Sequence, residues 1–316
     1  MKKNEVLFIS FVVPTYNAEK HLDNCLRSIR KQTYPKEKYE ILVVDGGSRD
    51  NTLKIANQFN VKILRNPHRD AESGKAIGIS KAKGSIIALV DSDNELVEKN
   101  WLLQMIKPLQ EDDEVFGVES QWLVKKNDPS LNQYLALLRV ADPLARKLQP
   151  RFNMIDKKDY IIYEPKIGEV PIIGANGFLY RKNFINKIEL GEKFEEVNFI
   201  SKLANEGFIR YAIPKNVGIY HYHVSSIGDY VRKRIKTGVK FMLRKSKGQR
   251  TWVDQVGKKD IFFSVIYNIS IIGPLFEAIT EYRRSKNSSW FWHPLISFLT
   301  IVVYALVLIP LWRYKR

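Results

Sequence analysis

SIIALVDSDNEL, residues 85–96, joins a short apolar run to three carboxylates at alternate positions. The apolar run contains β-branched residues, which is typical of a strand buried on both faces. Asp91, Asp93 and Glu95 follow directly where this strand is predicted to end, and three acids so close together repel one another. A cation at the same place would remove that repulsion. The stretch therefore predicts a buried strand that ends at a site for positive charge.

Three other short apolar runs lie before this strand, and segments with helical periodicity separate them. The runs cover residues 6–13, 41–44 and 61–64. This alternation of strands and helices predicts the α/β class, with a mainly parallel sheet flanked by helices. Ligands of such sheets bind at the carboxyl ends of the strands. Two of those ends have the polar sequences PTYN (14–17) and DGGS (45–48), so we expect a binding crevice beside the acids of residues 91–95.

The residue types at this predicted crevice suit a metal and a phosphate. Mg²⁺ and Mn²⁺ prefer oxygen ligands such as carboxylates, and a strand end followed by a turn can bring alternate acids to one point. The pair Asp91 and Asp93 is a weak signal when taken alone, because turns are rich in Asp. Gly74 and Lys75 open a predicted helix, where exposed N–H groups and a lysine can meet a diphosphate. The order and spacing of these motifs along one chain make the interpretation more specific than any single motif does.

The charge of the chain suits an anionic partner. It has 51 Lys and Arg against 34 Asp and Glu, which gives a formal net charge of +17. A nucleotide, a phospholipid surface or a nucleic acid would each be attracted to such a protein. The aromatic platforms and Arg-rich reading motifs of RNA-binding proteins are not evident in the sequence. We therefore predict no nucleic acid partner, and a basic RNA-binding protein is kept as an alternative for testing.

The C-terminal part of the chain is predicted to contact a membrane. Residues 290–312 contain no Lys, Arg, Asp or Glu, and as a helix they would extend about 34 Å, enough to cross a hydrocarbon core of about 30 Å. Residues 261–279 are also apolar but contain Glu277, so this segment could span, re-enter or lie along the surface. We prefer a hairpin of two spans. Residues 226–247 have the pattern of a basic amphipathic helix, which is typical of a membrane interface.

These patterns predict three parts of the chain. They are an α/β domain over residues 1–224, a basic amphipathic interfacial segment over 225–260, and a membrane hairpin over 261–316 with spans at about 261–279 and 290–312. Lys and Arg are concentrated before the hairpin and at the C-terminal end. The positive-inside rule then places the α/β domain on the cytoplasmic side of the cell membrane. The single cysteine, Cys25, excludes an internal disulfide and fits this reducing compartment.

Six segments, which together cover most of residues 6–240, resemble the family 2 glycosyltransferases of the GT-A fold. Three of them are highly specific: FVVPTYNAEKHLDNCLRSIRKQTYP (11–35), EILVVDGGSRDNTLKIA (40–56) and SGKAIGISKAKGSIIALVDSDNEL (73–96). Three are less close: IIGANGFLYRK (172–182), FEEVNFISKLANEGF (194–208) and IYHYHVSSIGDYVRKRIKTG (219–238). The resemblance implies a GT-A catalytic domain over residues 1–224, which transfers a sugar from a nucleotide-sugar donor.

The resemblance also implies roles for individual residues. A UDP- or GDP-linked sugar would bind near a set of donor-site residues: Pro14, Thr15, Glu19, Asp45, Gly74, Lys75 and Asp91. A divalent metal, Mn²⁺ or Mg²⁺, would bind the donor diphosphate through Asp91 and Asp93, and it would stabilise the charge that grows on the leaving diphosphate. In the polyprenyl-phosphate branch, which is similar here, the position two after this pair also helps hold the metal. That position is Glu95.

In this family the base that activates the acceptor hydroxyl is the acid that closes a Glu-Asp motif at a helix start. The segment FEEVNF places Glu196 there, with Glu195 before it. Phe199 and Ile200 lie three and four residues later, and a partly dry surrounding would raise the proton affinity of Glu196. Without the resemblance, both acids could be ordinary first-turn residues favoured by the helix dipole.

Our main hypothesis is a membrane-associated, metal-dependent, inverting glycosyltransferase that moves a single sugar to a lipid-linked or polyprenyl-phosphate acceptor. The Gln-x-x-Arg-Trp motif of processive members is absent, since residues 234–238 have the sequence RIKTG, and polymerisation is therefore disfavoured. The alternative is a non-catalytic scaffold that binds a sugar nucleotide and a membrane. Retention of Asp45, Asp91, Asp93 and Glu196 argues against such a scaffold.

Overall fold

The computed structural model of the protein describes residues 6–166, 169–189, 191–247 and 252–313. Within it the chain divides into two compact units. The first unit consists of Met1–Leu123 and Pro150–His221, and the second consists of Val124–Gln149 and Tyr222–Arg316. Residues 124–149 therefore group with the C-terminal helices.

The three predicted parts of the chain, with boundaries at 224 and 260, stay a prediction. Some of their residues lie outside the described ones, namely 1–5, 167–168, 190, 248–251 and 314–316. The two units are described separately below.

Among its described residues, the first unit is built on a nine-stranded sheet and a three-stranded sheet. In chain order the strands are β1 (Ile9–Thr15), β2 (Tyr39–Asp45), β3 (Lys62–Arg65), β4 (Ile86–Leu89), β5 (Asn94–Leu96), β6 (Gly117–Val118), β7 (Gln121–Trp122), β8 (Phe152–Asp156), β9 (Tyr160–Pro165), β10 (Phe178–Arg181), β11 (Tyr211–Pro214) and β12 (Gly218–His221). The large sheet has the order β3-β2-β1-β4-β10-β6-β11-β9-β8, and the small sheet has the order β5-β12-β7.

The helices belong to both units. In chain order they are α1 (Leu22–Arg30), α2 (Thr52–Ala56), α3 (Ala71–Lys81), α4 (Trp101–Glu111), α5 (Ser130–Leu138), α6 (Pro143–Lys147), α7 (Lys182–Ile185), α8 (Glu196–Asn205), α9 (Ile227–Ser246), α10 (Lys258–Ile269), α11 (Ile272–Ser285) and α12 (His293–Arg313). Short 3₁₀ helices cover Lys36–Lys38, Trp252–Gln255 and Ser288–Trp292.

The direction of the strands brings several strand ends to one edge of the large sheet. β3, β2, β1 and β4 run parallel, as the alternation of strands and helices predicts. β10 then pairs antiparallel with both β4 and β6, so β4 and β6 point the same way. The α/β class with a sheet flanked by helices is confirmed, and the half of the sheet beyond β4 is mixed. The carboxyl ends of β1, β2, β4 and β6 therefore lie at the same edge.

The residues of β1 explain how helices cover both faces of this sheet. All seven are buried, because side chains alternate between the two faces and both faces are covered. Phe11 and Val13 belong to the hydrophobic core that includes α1 and α4, whereas Val12 faces Gly78 of α3. A Cβ atom at Gly78 would lie 2.3 Å from a methyl carbon of Val12. Only glycine therefore allows α3 to approach the sheet this closely.

The second unit is helical, and α12 packs against α6, α9, α10 and α11. The buried face of α12 carries polar side chains at helical spacing: His293, Ser297 and Thr300. His293 Nδ1 shares a 2.7 Å hydrogen bond with the hydroxyl of Tyr134, and Thr300 shares one of 2.7 Å with the hydroxyl of Tyr230. The exposed side chains of α12 include Leu295, Phe298 and Leu306. The buried face of this helix therefore mixes these polar side chains with apolar ones such as Ile296, whereas its exposed face is apolar.

A buried ion pair joins three helices of this unit. Arg234 of α9 and Asp142, the residue before α6, form a 2.8 Å contact and are almost fully buried. The hydroxyl of Tyr304 on α12 donates to the same carboxylate at 2.8 Å. Asp142 also accepts a hydrogen bond from the N–H of Ala145, which caps α6.

The helix predicted over residues 226–247 is present as α9, and its apolar stripe is not the face that packs on the protein. The buried side chains are those of Tyr230 and Arg234, together with Gly238. The exposed apolar side chains are Ile227, Ile235, Val239 and Leu243. An exposed apolar stripe with Lys and Arg around it is the pattern of a helix at a membrane interface.

The two predicted spans have different structures. Within the described residues, one helical stretch, Ser288–Leu308, is long and apolar enough to cross a membrane, and it overlaps the predicted span at 290–312. The segment 261–279 is not one straight helix, because α10 and α11 are bent by 77° at a break beside Ile271, whose φ is 59°. Helices of 12 and 14 residues extend only about 18 and 21 Å. The pair is therefore not one straight helix. By length and composition it could be a broken span or a re-entrant segment, and the predicted hairpin of two spans stays a prediction.

Candidate active site

Asp45 ends β2 and is almost fully buried. Its Oδ2 atom accepts hydrogen bonds from the N–H groups of Gly47 at 2.9 Å and Ser48 at 3.0 Å. Its Oδ1 atom accepts from the hydroxyl of Ser48 at 2.6 Å and from that of Thr15 at 3.3 Å. A carboxylate has about four acceptor positions, so the turn after β2 and Thr15 of β1 together occupy them all. Binding of a nucleotide by Asp45 would replace one of these hydrogen bonds.

The other residues predicted for donor binding lie around this turn. Glu19 Oε2 accepts hydrogen bonds from the backbone and side-chain nitrogen atoms of Asn51, at 3.0 and 2.8 Å, which joins the loop after β1 to the start of α2. Gly74, in the first turn of α3, faces Pro14 so closely that a Cβ atom would lie 3.1 Å from the Pro14 Cβ. The structure thus places the predicted donor residues at one edge of the sheet, beside Asp45.

Lys75 is buried and contacts two acids that lie far apart in the sequence. Its Nζ atom is 3.2 Å from Asp91 Oδ1 and also pairs with Glu196 Oε1. Burial lowers the pKa of Lys75, but the negative charges of Asp91 and Glu196 outweigh burial and raise this pKa above its usual value. Lys75 therefore carries its charge, and it joins a predicted metal ligand to the predicted base.

The turn after β4 holds its three acids close to α1. The Cys25 thiol of α1 is buried and lies 3.7 Å from the carbonyl oxygen of Asp91. Burial raises the pKa of this thiol, and the negative charges of Asp93, Asp91 and Glu95 raise it further. The charges of all three carboxylates therefore act on the same buried thiol, and their convergence on one cation stays a prediction.

The three side chains have different neighbours. Asp91 faces the lysine, whereas Asp93 Oδ1 lies 3.6 Å from Nε2 of His221 on β12. Glu95 lines a polar cavity of about 210 Å³ together with Arg27 of α1. Over the described part of the chain, no group of three or more His, Cys, Asp or Glu side chains is positioned to hold a metal ion.

The acids nevertheless fit a divalent cation by their chemistry. Mg²⁺ is commonly bound by one or two carboxylates together with substrate phosphates and water, so a ready-made group of three protein ligands is not required. Asp91 Oδ1 is buried and already lies 3.2 Å from a cation, the ammonium group of Lys75, so its surroundings suit positive charge. Asp91 and Asp93 are the side chains that would hold the cation, with Glu95 as a third ligand, and all three assignments stay predictions.

Glu195 and Glu196 have different partners at the start of α8. Glu195 precedes the helix, and it accepts hydrogen bonds from the side-chain amide of Asn198 and, at its carbonyl, from the N–H of Phe199 at 2.8 Å. Glu196 is the first residue of the helix and contacts Lys75. The structure therefore joins Glu196 to the predicted donor residues and joins Glu195 to its own helix.

One acid of this region is missing from the sequence predictions. Glu119 follows β6, and its Oε2 atom accepts a hydrogen bond from the N–H of Gly174 at 3.0 Å. It is close enough to Glu196 for the two charges to interact. β6 is only two residues long, and the sequence around Glu119 matches no catalytic motif. The one feature of the sequence that could have indicated Glu119 is its position directly after Gly117 and Val118, the two residues of β6.

Residues 10–184, more than half of the chain, match the family described as Glycosyl transferase family 2. The chain belongs to this family. The resemblance to family 2 glycosyltransferases is thereby confirmed, and the protein is an enzyme of the glycosyltransferase class.

A relative of this glycosyltransferase from Methanococcus voltae is 26% identical over 326 residues, which cover 92% of this chain and 93% of the relative. It is named dolichyl N-acetyl-alpha-D-glucosaminyl phosphate 3-beta-D-2,3-diacetamido-2,3-dideoxy-beta-D-glucuronosyltransferase. A second relative, a glycosyltransferase from Haloferax volcanii, is 40% identical over 92 residues, which cover 27% of this chain and 30% of that protein.

The fold is similar to that of the mannosyltransferase PcManGT from Pyrobaculum calidifontis, solved in complex with GDP-Man and Mn²⁺. The TM-score is 0.60 at 14% sequence identity, and the match covers 97% of this chain and 88% of that one. This likeness confirms the predicted GT-A fold.

Proposed function

We propose that this family 2 glycosyltransferase is membrane-associated and metal-dependent, and that it moves one sugar with inversion from a UDP- or GDP-linked donor to a lipid-linked or polyprenyl-phosphate acceptor. The observation that carries this proposal is the contact of Lys75 with both Asp91 and Glu196. It joins a donor-side acid and an acceptor-side acid at the edge of the sheet where ligands of such folds bind.

On the donor side, the buried ammonium group of Lys75 would bind the diphosphate. The diphosphate oxygens would compete with Glu196 for this ammonium, because both carry negative charge. Negative charge grows on the diphosphate as the sugar departs, and a fixed cation stabilises it without a proton transfer. A divalent cation held by Asp91 and Asp93 would supply further positive charge at the same place.

On the acceptor side, Glu196 would take the proton of the acceptor hydroxyl. Its carboxylate is ion-paired with Lys75, and a diphosphate that binds Lys75 would release it for this task. An acceptor that is already an ionised phosphate would need little help from a base, and Glu196 would then matter less. Attack from the side opposite the departing diphosphate gives inversion.

Two observations support a lipid acceptor. The Methanococcus voltae relative is named for a dolichyl-linked sugar phosphate, which is a lipid-linked compound. The second unit also exposes apolar side chains on α10 and α11, where the exposed fractions are 65% for Phe263, 74% for Ile272 and 74% for Phe276. A contiguous apolar surface of this kind marks a partner or a membrane.

The bent pair α10–α11 suits a membrane because of where its polar side chains lie. Glu277 turns toward the protein, where its carboxylate lies 2.6 Å from Nζ of Lys147 and 3.2 Å from Nε of Arg146. The phenylalanine side chains of the same pair, Phe262, Phe263 and Phe276, face outward. We propose that α10–α11 enters the bilayer as a re-entrant segment, that α12 crosses it, and that the catalytic unit lies on the cytoplasmic side of the cell membrane.

A cysteine at position 276 tests this placement. In membranes, Phe276→Cys is expected to react at least about tenfold more slowly with a water-soluble maleimide than Met154→Cys, because the thiolate is the reacting form and hydrocarbon disfavours it. Met154 is the matched control, since it is 61% exposed on β8 of the first unit. Equal labelling rates would contradict insertion of α10–α11. The native Cys25 is buried and sets the background rate.

The direct test of the proposed function is a donor screen. Membranes that contain the full chain are incubated with labelled UDP- and GDP-sugars and Mn²⁺, and the label that enters organic solvent is measured. Transfer of label from one donor class to a solvent-extractable product is expected. Tight binding of a sugar nucleotide without any product would instead support the scaffold. RNA binding that survives deletion of residues 225–316 would support the RNA-binding alternative.

A further inference from the structure

Glu119 lies at the same sheet edge as the proposed reaction site. It follows β6, and β6 points the same way as β4 because β10 runs antiparallel between them. β4 leads to Asp91, so both acids follow the carboxyl ends of strands. Glu119 is only partly exposed, and its Oε2 atom accepts the N–H hydrogen bond of Gly174 at 3.0 Å.

Gly174 connects Glu119 to the start of α8. Its φ of +106° is a conformation that residues with a side chain rarely adopt. The hydroxyl of Tyr180 donates to the Gly174 carbonyl at 2.8 Å. Both the N–H group and the carbonyl group of Gly174 therefore have hydrogen-bond partners. A Cβ atom at Gly174 would lie 3.1 Å from the Cβ of Glu196 and 2.7 Å from a carbon of Ile200. The backbone held by Glu119 is therefore packed directly against the proposed base.

The same loop also reaches the acid turn. Asn176 has a φ of 59°, and its Oδ1 atom accepts a hydrogen bond from the side-chain amide of Asn94 at 3.3 Å. The N–H of Gly177 donates to the carbonyl of Leu89, the last residue of β4, at 2.8 Å. Residues 174–177 thus run from the base side of the site to the metal side, and Glu119 holds their first residue.

We propose that Glu119 positions Glu196 for the transfer reaction by holding Gly174 in place. This inference rests on the proposed function, because it assigns Glu119 a role in that same reaction. Glu119 is a positioning residue here, since it acts through Gly174 and not on the substrates.

The surroundings of Glu119 explain why it keeps its proton. Burial raises the pKa of Glu119 to about 8, the Gly174 N–H group opposes this rise, and the negative charge of Glu196 adds to it. The other titratable groups that face it are the phenols of Tyr180 on β10 and Tyr211 on β11. Burial is the main cause that raises the pKa of both phenols, so they stay neutral.

Loss of the proton would place a second negative charge beside Glu196. Two carboxylates repel one another, and the loop that separates them would have to move. Transfer is therefore expected to decline as pH rises above about 8.

The folded protein also holds the Glu119 proton more tightly than the unfolded chain does. The stability that this proton contributes is complete at acid pH and is lost as pH rises through about 8.

The test compares pH profiles of kcat/KM for the detergent-solubilised full chain and three variants. Wild type is expected to lose activity about tenfold per pH unit above pH 8. Glu119→Gln resembles the uncharged acid, so it is expected to lose no more than about threefold at pH 7 and to show no decline above pH 8. Glu119→Ala leaves the Gly174 N–H without its acceptor and is expected to lose about 10- to 100-fold at every pH.

Glu114→Gln is the matched control, because Glu114 is exposed and pairs with Arg210 at the surface. Its profile is expected to match wild type. A decline above pH 8 that persists in Glu119→Gln would overturn the inference.

If wild type transfers no sugar at all, the proposed function fails, and thermal unfolding then decides the inference separately. The stability of Glu119→Gln relative to that of wild type should increase as pH rises from 6 to 9. A stability difference that does not change with pH would overturn the proton-holding role.

Discussion

Replacement of Asp93 by asparagine is expected to reduce metal-dependent sugar transfer by about 10³-fold or more. A cation at a departing diphosphate contributes several kcal/mol of stabilisation to the transition state, and each 1.4 kcal/mol is about tenfold in rate. Asparagine keeps the size of the side chain and its hydrogen-bonding shape, so the fold should survive. The measurement is the initial rate of transfer as a function of Mn²⁺ concentration.

Asp23→Asn is the matched control for this experiment. Asp23 lies on the exposed side of α1, where it pairs with Arg27 at 2.9 Å, and its loss should change neither the rate nor the Mn²⁺ dependence. Asp93 differs because it lies in the turn after β4 beside Asp91. A variant Asp93→Asn that retains more than about a tenth of the wild-type rate would contradict the proposed metal site.

Replacement of Arg234 by methionine is expected to lower the free energy of unfolding of the second unit by about 3 to 5 kcal/mol. Arg234 is buried beside Asp142, and removal of the cation leaves a buried carboxylate without a countercharge. The measurement is thermal unfolding in detergent, followed by circular dichroism. Arg232→Met is the control, because Arg232 is exposed and its partner Asp229 lies one turn away on the same helix.

A second variant separates the ion pair from simple loss of packing. Combining Arg234→Met with Asp142→Asn removes the uncompensated charge, and much of the lost stability should return. Full recovery is not expected, because Asp142 also caps α6 and accepts the hydroxyl of Tyr304. If the double variant is no more stable than Arg234→Met alone, the buried charge was not the cause of the loss.

Much of the first unit could be predicted because its signals are local. Strand β4 and the acids after it are neighbours in sequence, and the chemistry of a strand end depends on a few consecutive residues. The turn after β2 was predictable for the same reason, since Asp45, Gly47 and Ser48 bond within a few residues. What could not be predicted there is that the Asp45 carboxylate already accepts hydrogen bonds from Gly47 and Ser48 of this turn.

The contacts of the site itself join residues that are distant in sequence. Lys75 and Glu196 are separated by 121 positions, and no periodicity connects them. Glu119 was missed because a two-residue strand has too little pattern to mark its end. Its proximity to Glu196 exists only because β10 brings β4 and β6 to the same edge and the loop at Gly174 folds over them.

In the apolar C-terminal segments, too, some features could be predicted from the sequence and others depend on the folded structure. Their composition, which depends only on residue type, was enough to predict a contact with lipid and one long apolar helix at 290–312. Composition carries no information on direction, so it could not reveal the 77° bend between α10 and α11. It also could not reveal that α9 turns Arg234 inward and its apolar stripe outward. The inward turn of Arg234 depends on its ion pair with Asp142, and such a pairing forms only when the chain is folded.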